Sequence, residues 1–179
     1  MGRRWLTISE IRKQALRMPA TEFELMFPHP VLVAAIVRGG QLIRTHDANA
    51  TMGFVDPRSD AGGDGHFIPQ LSFMPIRMPP RDQEEPWVTI GRTTASDVVI
   101  NDYTVSKDHG RMLIRPGRYQ LEDTRSRNGT WIEDAQLRPF RPHPLNSGQL
   151  VRFGRQTFTF FDVTGFRRFI LDEPEDMVT

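Results

Sequence analysis

From residue 87 onward the chain alternates short apolar runs with compact polar breaks. Trp87-Val88-Thr89-Ile90, Val98-Val99-Ile100, Arg111-Met112-Leu113-Ile114, Tyr119-Gln120-Leu121-Glu122, Trp131-Ile132, Leu150-Val151-Arg152-Phe153 and Thr157-Phe158-Thr159-Phe160-Phe161 are each of strand length. They are rich in β-branched and aromatic residues, which fit a pleated, half-buried surface. Between them stand turn formers: Arg115-Pro116-Gly117-Arg118, Arg127-Asn128-Gly129 and Asn146-Ser147-Gly148. Short strands at this spacing, with no long helical period among them, predict an antiparallel β-sandwich.

The first 86 residues follow a different pattern. Thr7-Ile8-Ser9-Glu10 has the spacing of a capping box, and Ile8, Ile11, Ala15 and Met18 form one stripe of a helix ending before Pro19. A second box, Thr21-Glu22-Phe23-Glu24, predicts a short helix stopped by Pro28 and Pro30. Residues 31–37 are continuously apolar, and periodicity leaves strand and helix both open there. Residues 45–66 are polar and carry four glycines among four aspartates, as a loop or linker does. Apolar text returns at residues 67–78 with Pro69 and Pro75, which suits an edge strand, and residues 79–86 then form a connecting turn. Past the last strand, Phe166, Phe169 and Ile170 mark a short amphipathic stretch that packs back on the domain. Residues 171–179 hold four acidic side chains and are expected to be a disordered tail.

The breaks carry the chemistry. In order they present Gly91-Arg92, Ser96-Asp97-Val98-Val99-Ile100, Ser106-Lys107-Asp108-His109 and Ser126-Arg127-Asn128-Gly129-Thr130. Two cations, a hydroxyl and a carboxamide are the groups that would hold a phosphate ester on a peptide. Taken singly each has a plain reading: solvated loop charges, a turn hydroxyl, a satisfied sandwich histidine, an Asn-Gly hairpin turn. Taken together and in order, residues 87–162 resemble the forkhead-associated (FHA) domain, a phosphothreonine-reading β-sandwich.

The resemblance implies roles residue by residue. Arg92, Ser106 and Lys107 would bind the phosphate, with the Ser106 backbone N–H able to join its hydroxyl. Asn128 would pair with the main chain of the peptide, aided by Arg125, Ser126 and Arg127 in the same loop. Gly91, His109 and Gly129 would be structural, His109 by bracing the loop that bears Ser106. Gly110 departs from the family, which usually has a small side chain there, and a glycine inside a strand gives up packing and order.

Composition narrows the remaining classes. A chain of 179 residues accommodates one packed domain with an extension, or two small domains. We therefore expect a helical or mixed extension and linker over residues 1–65, the FHA-type sandwich over 66–170 with a short C-terminal helix, and the acidic tail over 171–179. The absence of cysteine excludes disulfides and thiolate zinc sites. No apolar run nears the roughly 18 residues needed to cross a bilayer, and the Arg3-Arg4 start lacks the apolar core of a signal peptide, so a cytoplasmic location is expected. A net charge of +1 gives no overall field to gather nucleic acid. The basic residues are almost all arginine, with lysine only at positions 13 and 107.

Other sites fare poorly. Asp56, Asp60 and Asp64 hint at a calcium loop, but an EF-hand needs Glu where Phe67 stands and Gly where Ala61 stands. His29, His46 and His66 lack ligand spacing. Ser106 and His109 lack the orienting acid and oxyanion glycines of a hydrolase. The expectation is a non-enzymatic module, without metal or cofactor, that recruits a threonine-phosphorylated partner downstream of a Ser/Thr kinase. The alternative is a phosphorylation-independent interaction protein that uses the fold and its N-terminal extension for assembly.

Overall fold

The computed structural model describes residues 8–34, 36–38, 41–43, 73–76 and 87–172. Two helices come first, α1 (Ile8–Ala15) and α2 (Ala20–Met26). They are followed by β1 (Val31–Ala34), β2 (Ile36–Arg38), β3 (Gln41–Ile43) and β4 (Phe73–Pro75). The main run of strands is β5 (Trp87–Gly91), β6 (Val98–Val99), β7 (Gly110–Arg115), β8 (Arg118–Asp123), β9 (Thr130–Ile132), β10 (Ala135–Gln136), β11 (His143–Leu145), β12 (Leu150–Phe153) and β13 (Gln156–Phe161). Helix α3 (Val163–Asp172) closes the described chain.

These strands form two packed sheets and a separate hairpin. One sheet has the order β10-β9-β12-β13-β1-β4, the other β11-β8-β7-β5-β6, and β2 pairs with β3. All pairings are antiparallel except β5 with β6. The mostly β, FHA-type sandwich expected from the sequence is the fold observed. Its core lies between the sheets, where Val88, Ile90, Met112, Ile114 and Leu121 meet Leu32, Val151, Phe153, Phe158 and Phe160.

A second core lies on the other face of the six-stranded sheet. Val31, Val33 and Phe161 point outward and are covered by Ile11 and Ala15 of α1, Phe23 of α2, and Phe166, Phe169 and Ile170 of α3. Along β1, Leu32 and Ala34 face one core while Val31 and Val33 face the other. A strand covered on both sides has no polar face to show, which is why residues 31–34 read as unbroken apolar text.

The structure differs from the sequence expectations at several points. Val31–Ala34, assigned above to an extension ending at residue 65, is an inner strand of the sandwich, paired with β13 on one side and β4 on the other. The expected second capping box is not made, because α2 begins on Pro19 without a side-chain cap. Strands β10 and β11 are additional; each is two or three residues long, and β11 contains Pro144 at the edge of its sheet. Helix α3 runs through Leu171 and Asp172, two residues into the segment expected to be a tail. The first capping box at Thr7, the Asp56-Asp60-Asp64 series, His46, His66 and the rest of the acidic tail lie outside the described residues.

Gly110 has a steric reason. It stands opposite Asp123 on β8, and a Cβ there would come 2.8 Å from the Glu122 carbonyl oxygen. The two strands approach too closely for a side chain, so the glycine marks tight contact, not looseness.

Candidate functional site

Strand register gathers the sequence motifs at one end of the sandwich. Ile90 lies across from Gly110, and Gly110 across from Asp123, so the segments after β5, before β7 and after β8 share a rim. In the other sheet Thr130 lies across from Phe153, and Phe153 across from Gln156, which brings the start of β9 and the β12–β13 turn to the same end. Four connections therefore meet: residues 92–97, 101–109, 124–129 and 154–155.

Gly91 ends β5 where space is smallest. A Cβ would stand 2.0 Å from the Lys107 carbonyl oxygen and 2.5 Å from Ser96 Oγ. No side chain fits between these loops. The Arg92 N–H donates to the Ser106 carbonyl at 3.0 Å, which ties the Arg92 and Ser106 loops together.

His109 is fully buried and joins two further loops. Its Nδ1 accepts from the Ser106 N–H at 2.9 Å, and its Nε2 lies 3.0 Å from the Gly129 carbonyl oxygen. A carbonyl only accepts and an N–H only donates, so this pair of contacts selects the neutral imidazole protonated at Nε2. Burial pushes the imidazole pKa down, against the opposing pull of the Gly129 carbonyl, Asp123 and Asp108. The Phe153 ring meets it edge-on at 5.7 Å. Because the Ser106 N–H is spent on His109, only the hydroxyl of Ser106 is left to face a ligand. The imidazole touches Ser106 through its backbone, not through Oγ, so it is not placed to activate a nucleophile.

The loop after β8 turns on Asp123. One carboxylate oxygen accepts the N–H groups of Arg125 at 2.9 Å and Ser126 at 3.0 Å; the other accepts the hydroxyls of Ser126 at 2.6 Å and Thr130 at 2.5 Å. An aspartate bonding the backbone ahead of it in this way makes an Asx turn. Arg125 adopts a left-handed backbone with φ of 67°. The Arg127 N–H then donates to Ser106 Oγ at 3.0 Å, leaving the hydroxyl proton free to point outward. Asn128-Gly129 is no hairpin, since β8 and β9 belong to different sheets.

Asn128 is held by Thr104. Its Nδ2 donates to the Thr104 carbonyl at 2.7 Å, which leaves its Oδ1 and second amide hydrogen for other partners. Thr104 is buried and is itself fixed from three directions. Its N–H and hydroxyl donate to Asp102, and its Oγ1 accepts from the Arg155 N–H at 3.1 Å. Asp102 also accepts from Gln156 Nε2 at 2.7 Å. Although burial alone raises the Asp102 pKa, the hydrogen bonds from Thr104 and Gln156 and the charge of Arg155 outweigh it and hold the carboxyl below its usual range.

The expected site residues thus divide by setting. Arg92, Lys107, Asn128, Arg125 and Arg127 are exposed on the rim, Ser106 and Ser126 are half-buried, and Gly91, His109 and Gly129 are buried beneath. Among the described residues no carboxylate pairs with the Arg92 guanidinium or the Lys107 ammonium, and no group of three metal-ligating side chains occurs. Sequence reading missed Asp123, Asp102 and Arg155, and it offered Thr104 as a residue facing the peptide where the structure buries it beneath Asn128. The spacing Asp123 to Ser126 is an Asx-turn signal that was legible; the Thr104–Arg155 contact spans 51 residues and left no local trace.

Comparison with known proteins agrees with this fold. Residues 88–154 match the family model of the FHA domain. An oxoglutarate dehydrogenase inhibitor of Corynebacterium efficiens is 30% identical over 77 residues, 43% of this chain and 52% of that protein. The glycogen accumulation regulator GarA of Mycolicibacterium smegmatis is 30% identical over 77 residues, covering 43% of this chain and 47% of its own length. The chain thus spans about half the length of these relatives. A solved structure of an engineered FHA domain with a Myc-pTBD peptide superposes with a TM-score of 0.50 at 16% identity, over 78% of this chain and 96% of that one, and shares the fold.

Proposed function

Taking residues 88–154 as an FHA domain, we propose that this chain is a non-enzymatic reader of phosphothreonine, recruiting a protein partner marked by a Ser/Thr kinase. The observation that carries the reading is the state of the rim: Arg92 and Lys107 stand exposed with no described counter-charge, on the two loops tied at Ser106, whose hydroxyl accepts the Arg127 N–H. A phosphate brings roughly −1.5 to −2 charges and three strong acceptors, and it answers that set of donors. Arg92 offers a planar fork, Lys107 a compact charge and Ser106 one hydroxyl proton. Asn128, anchored by one amide hydrogen, has an acceptor and a donor left for the main chain of an extended peptide. Arg125 and Arg127 add positive potential that speeds encounter with phosphopeptides.

Preorganisation supports the same reading. Each loop is fixed by buried groups (His109, Asp123, Thr104), so little ordering entropy is lost on binding. Titration calorimetry with a phosphothreonine peptide library and its unphosphorylated counterpart tests it. Phosphate-dependent binding is expected, with Arg92→Ala weakening it by ~30-fold or more, since a charge-assisted contact of this kind is worth about 2–5 kcal/mol. Binding that ignores the phosphate, or a variant within twofold of the parent, would favour the phosphorylation-independent assembly role instead.

A further inference from the structure

Among the described residues three buried side-chain atoms lack a hydrogen-bond partner: Arg12 Nη1, Arg167 Nε and Thr159 Oγ1. All three belong to one layer, outside the sandwich. Arg12 is on α1 and Arg167 on α3, the helices that lie against each other, and Thr159 shares a sheet face with its neighbour Val33, which those helices cover. Arg12 is only 9% exposed. A guanidinium keeps its proton at any ordinary pH, so burial without a partner leaves a full charge uncompensated. Arg167 has one described bond, from Nη2 to the Met18 carbonyl at 3.5 Å, which is long for a hydrogen bond. Among the described residues no carboxylate pairs with either arginine, and Glu24 of α2 is engaged by the Thr164 hydroxyl at 3.3 Å. Two unanswered cations in one helical layer call for an acidic partner.

The sequence beyond α3 holds the right chemistry. The helix ends at Asp172 with no basic side chain in its last turn, and Glu173, Glu175 and Asp176 follow. Carboxylates there stand at the negative pole of the helix, which repels them. We propose that Arg12 and Arg167 form a carboxylate-binding site on the helical layer, and that its occupant is the acidic segment Glu173, Glu175 and Asp176 of the same chain. Pro174 cannot extend the helix, and about 7.5 Å of α3 separates Arg167 from Asp172, a span that two or three extended residues cover. Attachment to α3 gives these carboxylates a high effective concentration at the site. The segment then straps α1 to α3 and closes the layer that completes the second core. This site is independent of the phosphothreonine reading, since none of its residues belongs to the rim.

Thermal melts of the full chain at low salt test the pairing as a double-mutant cycle. Glu173→Gln, Glu175→Gln and Asp176→Asn together should lower the melting temperature by about 2–4 °C, the shift that one lost charge pair gives in a chain of this size. Relief of the helix pole alone would raise it. With Arg12→Met and Arg167→Met also present, the same three substitutions should no longer lower it; if that background does not fold, Arg167→Met alone carries the comparison. A neutralised segment that melts at or above the parent's temperature would overturn the proposal, as would an equal drop with and without the arginines. A free peptide of residues 172–179, added to the neutralised chain, should restore the lost degrees only while Arg12 and Arg167 are present. If neutralisation changes nothing and an unrelated acidic peptide raises the melting temperature through the arginines, the site serves another protein's acidic segment and the strap is refuted.

Discussion

At the residue scale His109 joins stability to the shape of the site. His109→Ala leaves the Ser106 N–H and the Gly129 carbonyl without partners in a buried place, at a cost of about 1–3 kcal/mol. Urea unfolding should register that loss, with phosphopeptide binding weakened because Ser106 is no longer held. Arg92→Ala should do the reverse, removing binding at unchanged melting temperature; a His109→Ala protein that melts like the parent yet binds nothing would make the imidazole a ligand contact. Proton linkage gives a second readout. Burial lowers the native pKa below the ordinary imidazole value of about 6.5, so the folded protein holds His109 neutral where the unfolded chain already protonates it. That stability is present above pH ~6.5 and is lost as pH falls, by up to about 1.4 kcal/mol per unit, until the native pKa is reached. Comparing unfolding at pH 7.5 and 5.5, His109→Gln should lose less than the parent does. Gly110→Ala, with its Cβ driven toward the Glu122 carbonyl, should destabilise by about 1–3 kcal/mol in the same assay.

At the scale of elements, the loop after β8 depends on one carboxylate. Asp123 is 2% exposed and accepts from two backbone N–H groups and two hydroxyls. Asp123→Ala strands all four donors, for a loss of about 3 kcal/mol, and frees residues 125–128 from their turn. Calorimetry should then show weaker phosphopeptide binding with a larger entropic penalty; unchanged binding would mean that the loop is held by other contacts. The central strands and the loop motifs were legible because alternation and turn residues are local signals. Asp123 was passed over because it closes an apolar strand and looks like its polar end. Strands β10 and β11 escaped because two or three residues, one of them Pro144, carry no period. Thr104 and Arg155 could not be paired on paper, since only the closing of β12 against β13 brings them together.

At the scale of the molecule, the six-stranded sheet is shared by two cores, and β1 belongs to both. A fragment beginning at residue 66 lacks Val31–Ala34, so β13 keeps β12 but loses its other neighbour, β4 loses its one pairing among the described residues, and Phe161 loses the cover of α1 and α2. Thermal melts should show it aggregating or unfolding well below a chain that begins before α1; equal melting would mean that the strand is dispensable. The apolar run at residues 31–34 signalled burial but not its partner, because strand pairing between Val31 and Phe161, or Ala34 and Phe158, leaves no local mark on either segment.

The helical layer also sets how the protein answers to tension. Helices α1 and α3 lie against each other, and Arg167 reaches the Met18 carbonyl at 3.5 Å. Strand β13 starts at the ligand rim with Gln156 and ends at the opposite pole, where Asp162 leads into α3. A pull through both flanking segments would therefore load the α1–α3 contact first and peel the helices from the sheet as a local unit. The rim contacts of His109, Asp123 and Thr104 involve none of the helices, so the helical layer can open locally without breaking one of them.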